Sequence, residues 1–145
     1  MLRHDDKTYK SIVPRSNGIN PKDAFYAWME TGSLRRASLY LEKQGIYNRR
    51  TGKPFTIFGV RHAACRYIAT NHSDVKPILL KAWNDQGYTI SDDEWNRFVV
   101  ETAAEYLSSS KERFMRWLEA NPFAYEYDYI YARQYGLEPK NRPPV

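Results

Sequence analysis

Helix start and stop signals divide most of this chain into short amphipathic segments, and that punctuation constrains its fold more than any single motif. Asn20-Pro21 pairs an N-cap asparagine with a proline suited to a first helical position. Ala24, Phe25, Trp28 and Met29 follow at helical spacing, and Gly32 ends the segment. Ser33 opens a second helix with Leu34, Ala37, Ser38 and Leu41 as its inner stripe, leaving Arg35, Arg36, Tyr40 and Lys43 outside. Gly45 is the expected left-handed C-cap, with Ile46 folding back as its apolar contact. Thr56 then caps a third helix through Val60, Ala64, Tyr67 and Ile68. Its outward positions are Ile57 or Phe58, Arg61, His62, Cys65 or Arg66, and Ala69. Between the second and third helices, Tyr47–Phe55 carries Thr-Gly and Lys-Pro turn signals and reads either as a small β-hairpin wing or as an extended loop.

The same grammar continues. Asn71-His72-Ser73 interrupts the pattern, and Ser73 is the expected cap of a helix with Val75, Ile78, Leu79, Ala82 and Trp83 in periodic positions, ended by Gly87. Ser91 and Glu94 form an S-x-x-E capping box ahead of Trp95, Phe98, Val99, Thr102, Tyr106 and Leu107. These two segments read as an antiparallel helical hairpin. Ser110 opens another helix with Phe114, Trp117 and Leu118 inward. Residues 123–135 carry two patterns. Tyr125, Tyr127, Tyr129 and Tyr131 alternate as in a strand, yet Asn121-Pro122 and Gly136 bracket about four helical turns. No partner strand is visible nearby, so a helix is expected. The fold class is therefore all-α, a helix-turn-helix head that is winged if 47–55 pairs, followed by a helical hairpin or bundle. The expected divisions are a basic arm at 1–19, the head at 20–72, an assembly or partner module at 73–136 and a proline-rich tail at 137–145.

Charge follows these divisions. The net formal charge of the 145 residues is +5, but residues 1–72 hold 13 Lys/Arg against 5 Asp/Glu, and residues 73–145 hold 9 against 12. From Arg35 to Arg66, eight basic residues accompany one acid, Glu42. A basic front and an acidic back suit a polyanion at one end and protein at the other. In the arm, Arg3, Lys7, Lys10 and Arg15 either track phosphates or enter a minor groove, or belong to a tail without a role.

Signals for catalysis are poor. Cys65 is the single cysteine, which excludes an internal disulfide and a cysteine-built zinc site, and its apolar neighbours suggest a buried small side chain. His4, His62 and His72 lack metal-ligand spacing with carboxylates, and Asp92, Asp93 and Glu94 read as first-turn acids complementing a helix dipole. Arg61-His62 invites comparison with tyrosine recombinases, but the arginine expected three residues after the histidine is Cys65 here. No P-loop, G-x-S-x-G or dinucleotide fingerprint occurs. No catalytic residue, metal or cofactor is expected. The aromatics of the second half, including Trp83, Trp95, Phe98, Trp117 and Phe123, fit core packing or a subunit interface better than a base-stacking platform, because their surroundings are acidic. No segment approaches the ~18 apolar residues of a membrane span, and MLRHDDKTYK lacks a signal peptide's apolar run, so a cytoplasmic, reduced protein is expected.

Two resemblances bear on function. Ala37-Ser38, Leu41, Gly45-Ile46, Arg49-Arg50, Gly52-Lys53, Phe55-Thr56, Val60, Ile68 and Asn71 resemble the DNA-binding segment that follows the catalytic domain of large serine recombinases. The likeness spans about a quarter of the chain. Nothing in these residues corresponds to the catalytic serine domain, so the resemblance implies DNA contact alone. The order of basic helix-turn-helix head and helical hairpin is also similar to the small terminase subunits of tailed phages, which would imply a ring that recognises viral DNA for packaging.

The expected function is non-catalytic recognition of double-stranded DNA, with the C-terminal helices serving self-association or recruiting a protein partner. In such a head, Arg61 addresses a guanine, while His62 and Thr56 reach bases or phosphates. Arg49, Arg50 and Lys53 hold the backbone from the loop, and Arg35, Arg36 and Arg66 supply further basic contacts. The contrasting expectation is a structural or adaptor protein with protein contacts only.

Overall fold

A computed structural model describes residues 18–107 and 110–135; the basic residues of the arm and the proline-rich tail lie outside this range. Among the described residues there are seven α-helices and one 3-10 helix, and no strand. In chain order they are α1 (Pro21–Thr31), α2 (Leu34–Lys43), α3 (Ile57–Thr70), α4 (His72–Asp85), α5 (Asp92–Tyr106), α6 (Lys111–Ala120), the 3-10 helix Pro122–Tyr127 and α7 (Asp128–Tyr135). The all-α expectation holds, and residues 123–135 are helical throughout. The chain divides into two compact units between Tyr67 and Ile68.

In the first unit the start signals work as side-chain caps. Asn20 Oδ1 accepts from the backbone N–H of Lys22 at 2.9 Å and of Asp23 at 3.4 Å. Ser33 Oγ accepts from Arg36 N–H at 3.0 Å. Only Gly32 and Ser33 separate α1 from α2, and these two helices make the closest pairing in the unit. Ala24, Phe25 and Ala27 of α1 are buried, as are Ala37, Ser38 and Leu41 of α2. Full burial of a side chain such as Phe25 contributes about 1.5–3 kcal/mol. The end of α2 is a Schellman turn. Ile46 N–H donates to Leu41 O and Gly45 N–H to Glu42 O, both at 2.9 Å, and Ile46 is buried. That geometry needs a left-handed residue, supplied by Gly45 at φ 80°.

In the second unit α5 is central. It packs on α6, on the 3-10 helix and on α7. Its capping box is complete, with Ser91 Oγ accepting from Glu94 N–H at 3.1 Å and Glu94 Oε1 accepting from Ser91 N–H at 2.8 Å. Trp95, Val99, Val100, Thr102, Ala103 and Ala104 are buried along it. Phe114 of α6 is fully buried and stacks on Tyr135 of α7 at 4.2 Å between ring centroids, nearly parallel. Trp117 Nε1–H donates to Ala69 O at 2.9 Å, which satisfies the indole's one polar group in the core. Helices α4 and α5 meet through Trp83, set edge-on to Trp95 and Phe98. Tyr131 is buried, and burial followed by the charge of Asp128 pushes its hydroxyl pKa up to about 12.

Three local expectations change. The helix assigned to a Ser73 cap begins at His72, with Asn71 alone breaking α3 from α4 and giving no side-chain cap bond. Ala69, expected on the outer face, is fully buried. Cys65 is half-buried where an enclosed side chain was expected.

Candidate nucleic-acid interface

The basic segment between α2 and α3 is a bridged turn. Asn48 N–H donates to Lys53 O at 3.0 Å, Gly52 N–H donates to Asn48 O at 2.8 Å, and Asn48 and Lys53 form a single antiparallel bridge. Asn48 Oδ1 accepts from Arg50 N–H at 2.9 Å, and Thr51 Oγ1 accepts from Lys53 N–H at 3.2 Å. Gly52 sits at φ 72°, the left-handed position the turn requires. The turn is thus hairpin-like without being built from strands. It brings Arg49, Arg50 and Lys53, all exposed, onto one short projection.

Two contacts fix this projection relative to the helices. The Ser38 hydroxyl, buried in α2, donates to the carbonyl of Phe55. Phe55 itself is buried, so the end of the turn is held by packing as well. One residue later, Thr56 Oγ1 accepts from Gly59 N–H at 3.0 Å and Thr56 O from Val60 N–H at 3.0 Å, so Thr56 caps α3 as expected. Its oxygen therefore has a structural duty, while the hydroxyl hydrogen of this exposed side chain remains a donor.

Along α3, Val60, Ala63, Ala64 and Ile68 are buried, and Tyr67 packs against Phe25 and Tyr26 of α1 at 5.5 and 6.2 Å between centroids. Burial of those positions leaves Phe58, Arg61 and His62 on one outer stripe at i, i+3 and i+4. Arg61 is half-buried, its guanidinium carbon 5.8 Å from the centroid of the Phe58 ring. His62 is exposed, and Arg66 is half-buried one turn further on. Desolvation first, and then the positive charge of Arg66, hold the His62 imidazole below its ordinary pKa. Both effects favour the neutral imidazole, in which one ring nitrogen donates and the other accepts.

Arg35 and Arg36 are exposed in the first turn of α2. The ion pairs Lys76–Asp92, Lys81–Asp85, Arg97–Asp93 and Arg116–Glu112 lie in the second unit. None of them engages Arg35, Arg36, Arg50, Lys53 or Arg61. The residue that sequence reasoning left out of the site is Phe58. It was legible as one of two alternative outward positions, Ile57 or Phe58, but an apolar side chain gave no reason to count it among the DNA contacts.

Among the described residues no group of His, Cys, Asp and Glu side chains is arranged to hold a metal ion, and no helix is long and apolar enough to cross a membrane. No protein-family model matches this chain, and neither a curated protein nor a solved structure shows significant similarity to it.

Proposed function

We propose that this chain is a non-catalytic double-stranded DNA-binding protein. In this reading the turn 47–55 and the outer stripe of α3 form the contact surface, and the C-terminal helices serve self-association or a protein partner. One observation carries the reading. No carboxylate lies between Glu42 and Asp74, and within that span the turn and α3 present Arg49, Arg50, Lys53, Arg61 and Arg66. A run of chain with this excess of positive side chains favours phosphate oxygens, and a helix start next to it suits entry into a groove. Arg49, Arg50 and Lys53 then take phosphates, and Arg35 and Arg36 extend the positive field. Arg61 and His62 face base edges, with Thr56 beside them.

For the second unit, the support is aromatic surface. Trp83 and Phe98 are half-buried where they meet, and Tyr88, in the link between α4 and α5, is 60% exposed. Large apolar rings left partly open are typical of association surfaces.

The test is a titration onto random-sequence duplex at several salt concentrations, with an Arg61→Ala/Arg66→Ala variant alongside. A DNA-binding protein shows a steep dependence of affinity on salt and loses affinity in the variant. Absence of binding at low salt ends the proposal and favours the adaptor role. Light scattering separates the two assembly alternatives: an oligomer supports self-association, and a strictly monomeric protein excludes it and leaves the protein partner.

A further inference from the structure

Phe58 is the most exposed large apolar side chain among the described residues, at 69%, with Ile57 beside it at 44%. Exposure of this size at the start of a helix costs free energy in the isolated protein, because the ring remains hydrated. Its setting is specific. The Arg61 guanidinium lies over the ring, with 5.8 Å between its carbon and the centroid. The pair is spaced i, i+3, about 5–6 Å apart at Cβ, so two side chains of this length can reach neighbouring bases ~3.4 Å apart on a strand.

From this juxtaposition we infer that Phe58 and Arg61 form a composite reader of a thymine next to a guanine in the major groove. The inference rests on the DNA-binding reading and supplies the base chemistry that reading lacks. Thymine's C5-methyl is the one apolar group on the major-groove floor, and an aromatic edge is a suitable contact for it. Arg61 offers its planar fork to guanine O6 and N7. The cation–π contact orients that fork before DNA arrives, so less side-chain freedom is lost on binding. Insertion of the ring between base pairs would require both of its faces and would strip away the guanidinium. Contact through the ring edge keeps the pair intact.

The test needs no knowledge of the target sequence. Two pools of random-sequence duplexes are made, one with thymine and one with deoxyuridine, which lacks only the methyl group. Binding of the wild-type chain, Phe58→Ala and Phe58→Leu is measured to each. The expected result is a preference of roughly three- to five-fold for the thymine pool, the size set by one buried methyl. Phe58→Ala retains binding but loses the preference, and Phe58→Leu keeps part of it. Equal binding of the wild-type chain to both pools overturns the inference, as does an unchanged preference in Phe58→Ala. If the wild-type chain binds neither pool, the DNA-binding reading itself fails.

Discussion

Ser38, in the middle of α2, donates its hydroxyl proton to the backbone carbonyl of Phe55, seventeen residues along the chain and one residue before the cap of α3. This buried bond links the middle of one helix to the start of the next across the whole basic turn. Ser38→Ala leaves the Phe55 carbonyl inside the fold without that donor, at a cost of roughly 1–3 kcal/mol. Chemical denaturation followed by tryptophan fluorescence reads the loss, and Trp28 is the reporter in the first unit. Duplex affinity is expected to fall as well, since the turn and α3 lose their fixed relation. An unchanged unfolding midpoint would show that the contact is not structural.

The turn predicts a change of slope rather than a simple loss. Arg50 and Lys53 are exposed on a projection whose backbone is closed by its own hydrogen bonds, so alanine at either position leaves the turn intact. In Arg50→Ala/Lys53→Ala the slope of log affinity against log salt should become shallower by about 0.9 for each phosphate contact removed. Sequence preference should be retained, because phosphate contacts carry no base information. Fluorescence anisotropy across a salt series measures both.

His62 should give opposite pH effects in the free protein and in the proposed DNA complex. Burial and Arg66 disfavour its charged form in the fold, so its pKa is lowered relative to the unfolded chain. The unfolded chain therefore takes up the proton first as pH falls through about 6.5, and the free protein loses stability there, with no such loss above it. In the proposed complex an acceptor atom on a base edge favours the imidazolium, as does the surrounding phosphate charge, so duplex affinity should rise over the same window. In His62→Gln both dependences flatten. A pH series of affinity and of unfolding midpoint checks the pair of signs.

Acid unfolding of the second unit should depend on Tyr127. Its hydroxyl donates to Asp93 Oδ1 at 2.7 Å, and Arg97 donates to Asp93 Oδ2 at 2.7 Å. The tyrosine bond first, and the arginine second, hold the Asp93 carboxyl below its ordinary pKa. A depressed carboxyl contributes stability above its unfolded value and loses it as pH falls through the folded one. Tyr127→Phe should raise the Asp93 pKa and move acid unfolding to higher pH. An NMR titration of the Asp93 carboxyl carbon tests the first effect, and circular dichroism during acidification the second.

The sequence by itself determined where the helices begin and end, because capping is local chemistry. Asn20, Ser33, Thr56, Ser91 and Ser110 each accept a hydrogen bond from a backbone N–H two or three residues later, a reach visible in the residue order. The Gly45 stop was legible for the same reason. Ser73 misled because the cap position falls on Asn71, two residues earlier, and His72 pairs with Asn121, 49 residues away, at 2.7 Å. Such distant pairings leave no periodic trace. Tertiary structure alone decided that Ala69 is enclosed, that Ser38 holds Phe55 and that Asp93 meets Tyr127. It also decided the candidate site's most informative feature. Spacing could place Phe58 and Arg61 on one face, but only packing of the opposite face of α3 determines that the ring is left in water with a guanidinium over it.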